Sequence, residues 1–126
     1  MFILKINAGA LADYKENFSK KNTYYFIAKN NEKIIAYLAS ELLGVSLHIN
    51  GITTSPKYRE LGLGRSLFNE ALLIAKKLKC QKITLEIEPK TPAYLWYEKL
   101  GFRVEKVLPN YYGEGVEAYF MKRDVY

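Results

Sequence analysis

Between Ser55 and Phe68 the chain gathers Arg59, Gly62, Gly64, Arg65 and Ser66, directly ahead of an amphipathic run from Leu63 to Leu78. That combination suits the binding of an anionic phosphate group. The first-turn N–H groups of a helix have no partner inside it, and the macrodipole favours negative charge at that end. Gly62 and Gly64 carry no Cβ, so a ligand can come close to the backbone. Arg59 and Arg65 both stand near the positive end of the helix dipole, a conflict that a bound anion resolves. The bland alternative is a solvated basic turn.

Other residues could also do chemistry. Glu86 and Glu88 share the polar face of a run, Gln81 to Glu88, whose Ile83, Leu85 and Ile87 fall on the opposite face. They are either solvated strand carboxylates or a base. Tyr97 lies at a helical spacing that, taken alone, reads as core packing. Tyr111 and Tyr112 read as half-buried loop aromatics or as contact surface. The single histidine, His48, sits between Leu47 and Ile49 and reads as structural or exposed rather than catalytic. The single cysteine, Cys80, reads as an inert, partly buried thiol. No His/Cys cluster has metal-ligand spacing, so no metal is expected.

These groups need a scaffold. At 126 residues, with 49% hydrophobic and 25% charged residues, the chain reads as one globular domain, 1–126, with a real core. A net charge of +6 favours anionic partners. The lysines are scattered rather than clustered, which disfavours nucleic acid. There is no apolar run of the ~18 residues a membrane span needs, and no signal-like N-terminus. One thiol excludes an internal disulfide and fits a reducing compartment, so the expected location is cytoplasmic, away from membranes. Self-association into an oligomer stays open.

Strands are expected at Phe2–Ile6, Tyr24–Ala28, Ile34–Leu43, Val45–Thr54, Gln81–Glu88, Phe102–Leu108 and Val116–Met121. One or two helical turns are expected at Leu11–Phe18. Helices are expected at Leu63–Leu78 and Ala93–Leu100, the first bearing Leu63, Leu67, Ala71, Ile74, Ala75 and Leu78 on one face, the second ended by Gly101. Pro109 to Gly115 reads as a loop. The order implies a mixed sheet with helices on its faces.

The phosphate turn is neither of the common fingerprints. A Walker A loop needs Gly-Lys-Ser/Thr, and this chain has Gly64-Arg65-Ser66 with the earlier glycine too close. A Rossmann turn needs a third glycine where Leu67 stands. What remains, Arg59-x-x-Gly62-x-Gly64, resembles the acetyl-CoA pyrophosphate loop of the GNAT acetyltransferase superfamily. Two further segments agree in order. Tyr94-Leu95-Trp96-Tyr97-Glu98-Lys99-Leu100-Gly101-Phe102 is similar to that family's Leu-Tyr-Glu-Lys-Leu-Gly-Phe motif, with Trp in the Leu place. Asn110 to Met121 resembles the tail of RimI-type N-terminal (α-amino) acetyltransferases. Together the segments span about residues 45–123.

The resemblance implies an α/β GNAT fold: a mixed, mostly antiparallel central sheet flanked by helices on both faces. It implies direct, metal-free acetyl transfer from acetyl-CoA to a protein or peptide N-terminal amine. In this reading Arg59, Leu61, Gly62, Leu63, Gly64, Arg65 and Ser66 anchor the cofactor. A bulged strand at Ile52, Thr53 and Thr54 turns backbone N–H groups on the thioester carbonyl. Tyr97 is the acid for the leaving thiolate, Glu86 the base, with Glu88 or a water as runner-up. Tyr111 and Tyr112 hold the acceptor backbone. The chain departs from the RimI pattern at Pro89-Lys90-Thr91-Pro92, which lacks a CoA-contacting Asn; Thr91 offers a hydroxyl and an N-cap instead. The alternatives are a small-molecule amine as acceptor, or a non-catalytic CoA- or nucleic-acid-binding domain.

Overall fold

The structure is a computed structural model that describes the backbone of residues 2–8 and all of residues 22–126. The helical turns expected at 11–18 lie outside the described residues. The elements run β1 (Phe2–Ala8), β2 (Thr23–Asn30), β3 (Lys33–Leu43), β4 (Ser46–Thr54), a short 3-10 turn (Pro56–Tyr58), α1 (Leu63–Lys77), β5 (Lys82–Ile87), α2 (Pro92–Lys99), β6 (Arg103–Gly113) and β7 (Val116–Asp124). They form a seven-stranded sheet in the order β1-β2-β3-β4-β5-β7-β6. Only β4 and β5 are parallel; every other neighbour is antiparallel. The mixed, mostly antiparallel sheet is the one expected.

The core lies where the sheet meets α1. Leu63, Leu67, Phe68, Ala71 and Ala75 are its buried stripe, and Ile74, Leu72 and Leu78 pack against it partly buried. Opposite them stand Leu47 and Ile49 of β4 and Ile83 and Leu85 of β5. The alternation of a strand then sends His48, Thr84 and Glu86 to the other face. Helix α1 ends in a left-handed residue, Lys79 (φ 59°). The Cys80 and Lys79 N–H groups donate back to the Ala75 and Lys76 carbonyls, satisfying groups the helix leaves open. Cys80 is fully buried, and burial pushes its thiol up, as suits an inert packing residue.

The residues just past α2 pack against α1. Phe68 and Phe102 meet edge to face, and the Arg123 guanidinium lies over Phe68 while its Nε donates to the Leu100 carbonyl at 2.7 Å. Gly101 adopts φ 98°, and a Cβ there would press on Arg123 at 3.2 Å. The end of α2 is thereby fixed to the core.

The stretch expected as a loop, Pro109 to Gly115, is instead mostly strand. Strand β6 runs to Gly113, but its register with β7 jumps from Leu108–Ala118 to Gly113–Val116. Pro109 has no N–H to donate and Asn110 is left-handed (φ 58°), so pairing fails locally while the chain stays extended. The Asn110 side chain accepts from Gly115 N–H at 2.7 Å and closes the hairpin. This wide bulge carries Tyr111 and Tyr112.

Candidate active site

The phosphate turn forms as its residue types require. Glu60 (φ 64°) and Gly62 (φ 77°) are both left-handed, and Gly62 is the N-cap of α1. No side chain caps that end, and the first turn has no acid. Ser66 N–H donates to the Gly62 carbonyl at 3.1 Å, the first bond of the helix. The N–H groups of Leu63, Gly64 and Arg65 precede it and have no intrahelical partner. Arg59 folds back so that its Nε donates to the Thr54 carbonyl at 3.3 Å.

A groove of about 800 Å³ opens against this turn. Ile52, Thr53 and Thr54 line one side, and Tyr97 with Trp96 the other. Arg59, Gly62, Leu63, Gly64 and Arg65 form its end. Two expected cofactor residues are not in the lining: Leu61, whose side chain is exposed, and Ser66, whose N–H is already used within the helix.

A Cβ on Gly64 would meet the Trp96 indole at 3.5 Å, so position 64 abuts an aromatic wall of the groove. Alanine fits at ordinary contact distance; leucine does not. Gly64→Leu is therefore expected to weaken acetyl-CoA binding roughly ten- to hundredfold, from about 1–3 kcal/mol of overpacking. Titration calorimetry against Gly64→Ala checks this, and equal affinity in both variants would remove the turn from the cofactor site.

Tyr97 is buried in α2, edge to face with Trp96 and Phe102. Burial pushes its hydroxyl up to about 12. It thus stays protonated, a weaker acid than the ordinary phenol expected from sequence. Thr91 caps α2: its Oγ1 accepts from Tyr94 N–H at 3.2 Å and donates to the Glu88 carbonyl at 3.0 Å. Its hydroxyl proton is committed there, so it does not stand in for the absent Asn as a donor to CoA.

Between the groove and the opposite face the sheet is split. Strands β4 and β5 pair only from Ser46–Lys82 to His48–Thr84 and then diverge. Beyond His48 the β5-facing edge of β4 has no strand partner. A bulge adds to this. Ala39 pairs with Gly51 and Ser40 with Ile49, so Asn50 is the extra residue. The bulge thus falls before Ile52, Thr53 and Thr54, which pair regularly with Leu38, Tyr37 and Ala36, rather than at them. The open edge is where backbone N–H groups can face a carbonyl in the gap.

A second cavity, of about 490 Å³, lies on the other face at this split. Glu86 lines it, together with His48, Thr84, Tyr111 and Phe120. Glu88 does not; it is exposed, just past the end of β5. His48 Nε2 lies 2.9 Å from Glu86 Oε1 and its Nδ1 lies 2.7 Å from Thr84 Oγ1. Burial first, then the Glu86 carboxylate, raises the Tyr111 hydroxyl above its ordinary value. Tyr112 packs edge to face on Tyr111, and burial and the same acidic surroundings raise it too. The structure therefore gathers Glu86 and Tyr111 with a histidine that sequence reading set aside. A lone strand histidine flanked by apolar residues carries one faint signal: it must face away from the core that its neighbours fill.

A groove ending at an uncapped helix, beside a split sheet with a carboxylate-lined cavity on its other face, suits an acyltransferase-type site. The model of the acetyltransferase (GNAT) family matches residues 5–102, and the chain belongs to that family. An N-alpha-acetyltransferase of Sulfurisphaera tokodaii is 27% identical over 94% of this chain and 83% of its own. The ribosomal-protein-S18-alanine N-acetyltransferase of Escherichia coli superposes with a TM-score of 0.81 at 21% identity, covering 99% of this chain and 94% of its own. An acetyltransferase of Bacillus anthracis solved with acetyl coenzyme A superposes with a TM-score of 0.76 at 28% identity, over 88% and 67% of the two chains. The protein is an acetyl-CoA-dependent N-acetyltransferase. Among the described residues no helix is long and apolar enough to cross a membrane, and no group of three His, Cys, Asp or Glu side chains could hold a metal.

Proposed function

We propose that the acceptor is the α-amino group of a protein or peptide N-terminus. The observation that carries this reading is the split between β4 and β5. It sets a carboxylate-lined cavity against one side of the gap and the thioester groove against the other. Support also comes from relatives named for α-amino acetylation. The free N–H groups of Leu63, Gly64 and Arg65, with the two arginines, grip the pyrophosphate. Backbone N–H groups of the Ile52–Thr54 stretch receive the carbonyl oxygen as it gains charge. The amine lone pair forms the new C–N bond while Glu86 takes the amine proton. The C–S bond then breaks, and the Tyr97 hydroxyl donates to the departing sulfur; solvent resets both groups. An α-amino group with pKa ~8 is about half neutral near that pH, so a single carboxylate suffices as base. Tyr111 and Tyr112 present hydroxyls and ring area to the acceptor backbone at low entropy cost.

The test is thiol release from acetyl-CoA against short peptides with free N-termini. Nα-blocked peptides with an internal lysine, amino acids and polyamines serve as controls. Turnover confined to free N-termini is expected. Turnover of small amines without peptides would replace this reading by that of a small-molecule acetyltransferase.

A further inference from the structure

We propose that His48 is a positioning residue for the base: its Nε2–H holds Oε1 of Glu86 and so aims the carboxylate at the amine proton. This rests on the reading of Glu86 as the base. His48 is the last residue of β4 paired with β5 before the strands part, so its backbone is fixed on both sides. Its ring plane is set by Phe120, stacked at 6.3 Å and 17°. The ring rotation is set by Thr84 and Glu86, at 2.7 and 2.9 Å. A carboxylate only accepts, so in the neutral imidazole Nε2 carries the proton and Nδ1 accepts from the Thr84 hydroxyl.

Glu86 gains most from this bond. Its side chain is 20% exposed; His48 engages Oε1, and the Tyr111 hydroxyl also bonds to the carboxylate. An unheld glutamate at a cavity wall samples several rotamers, and the rate suffers when a reacting group is misplaced by an ångström. Lining the same cavity as the imidazole are Glu41 from β3, Thr84 and Glu86 from β5, Tyr111 from β6 and Phe120 from β7. Of these, only Thr84 and Glu86 bond to it among the described residues. A histidine that merely filled space would not need both nitrogens committed to side chains lining the same cavity.

The first test is independent of acceptor and turnover. The chain has one histidine, so untagged, 15N-labelled protein gives one imidazole pair by NMR. The Nε2–H tautomer is expected; the Nδ1–H tautomer would overturn the proposal. The second test is kinetic. His48→Ala should lower kcat about 10- to 100-fold without changing acetyl-CoA affinity, on the scale of losing an orienting hydrogen bond. His48→Gln, which keeps an N–H donor, should recover most of that loss and guards against an alanine variant that does not fold. In a Glu86→Gln background, His48→Ala should add less than about twofold, because it acts through the same carboxylate. A full, independent loss in that background would overturn the proposal. So would a His48→Ala enzyme of normal kcat beside a slow Glu86→Gln enzyme, which leaves the base reading standing. Normal kcat in Glu86→Gln itself would remove the base reading and this proposal together.

Discussion

Glu86→Gln is expected to lower kcat with a peptide acceptor by about 100-fold, within the usual range for loss of a positioned general base. Acetyl-CoA affinity should hold, because Glu86 lines the cavity across the split from the groove that takes the cofactor. The isosteric amide keeps an acceptor for the His48 N–H, so the fold and the neighbouring hydrogen bond should survive. The pH dependence supplies the sharper sign. A glutamine cannot take a proton, so water or hydroxide must do so, and the deficit should shrink as pH rises. Steady-state kinetics from pH 6 to 10, with binding measured in parallel, check both points. A rate profile superimposable on the wild type would pass the base role to Glu88 or to water. Glu88→Gln is the natural control, expected to be near normal because that side chain is exposed beyond the strand end.

Tyr97→Phe is expected to cost a similar ~100-fold in kcat while acetyl-CoA affinity changes little. The ring keeps its edge-to-face contacts with Trp96 and Phe102, so only the hydroxyl is lost. With that hydroxyl pushed up to about 12, Tyr97 is a hydrogen-bond donor throughout the working pH range. Its ionisation should begin to cost activity only as pH approaches that value. Burial favours the neutral phenol in the folded state. Its contribution to stability is therefore complete below the unfolded pKa of ~10 and is lost as pH climbs through the folded value. Wild type and Tyr97→Phe should show a constant difference in melting temperature up to about pH 10, after which wild type falls faster. Thermal melts between pH 8 and 12 measure this. A Tyr97→Phe enzyme of normal kcat would mean that another group protonates the sulfur.

Much of the site was written locally. Arg59, Gly62 and Gly64, followed by an apolar stripe at helical spacing, specify a turn and a helix start through contacts only a few residues long. The same holds for Thr91 as N-cap and Gly101 as the stop of α2. Such features depend on backbone geometry and near neighbours, which a linear pattern carries. Pro109 to Gly115 read as a loop, but whether that stretch became loop or bulged strand depended on what β7 offered across the hairpin.

What the chain order did not carry is what two distant strands do together. His48 and Glu86 are 38 residues apart, and they touch only because β4 and β5 pair in one particular register for three residues. A slip of one residue would turn either side chain to the opposite face. One extra residue, Asn50, interrupts the pairing of β4 with β3 just where β4 leaves β5. Burial decided how firmly the Tyr97 hydroxyl holds its proton, and the fold set the Trp96 indole beside position 64. The residue types and their local turns were legible in sequence; the meeting of Glu86 with His48, and the groove beside the strand split, were settled by strand register and burial, quantities that exist only once the sheet has closed.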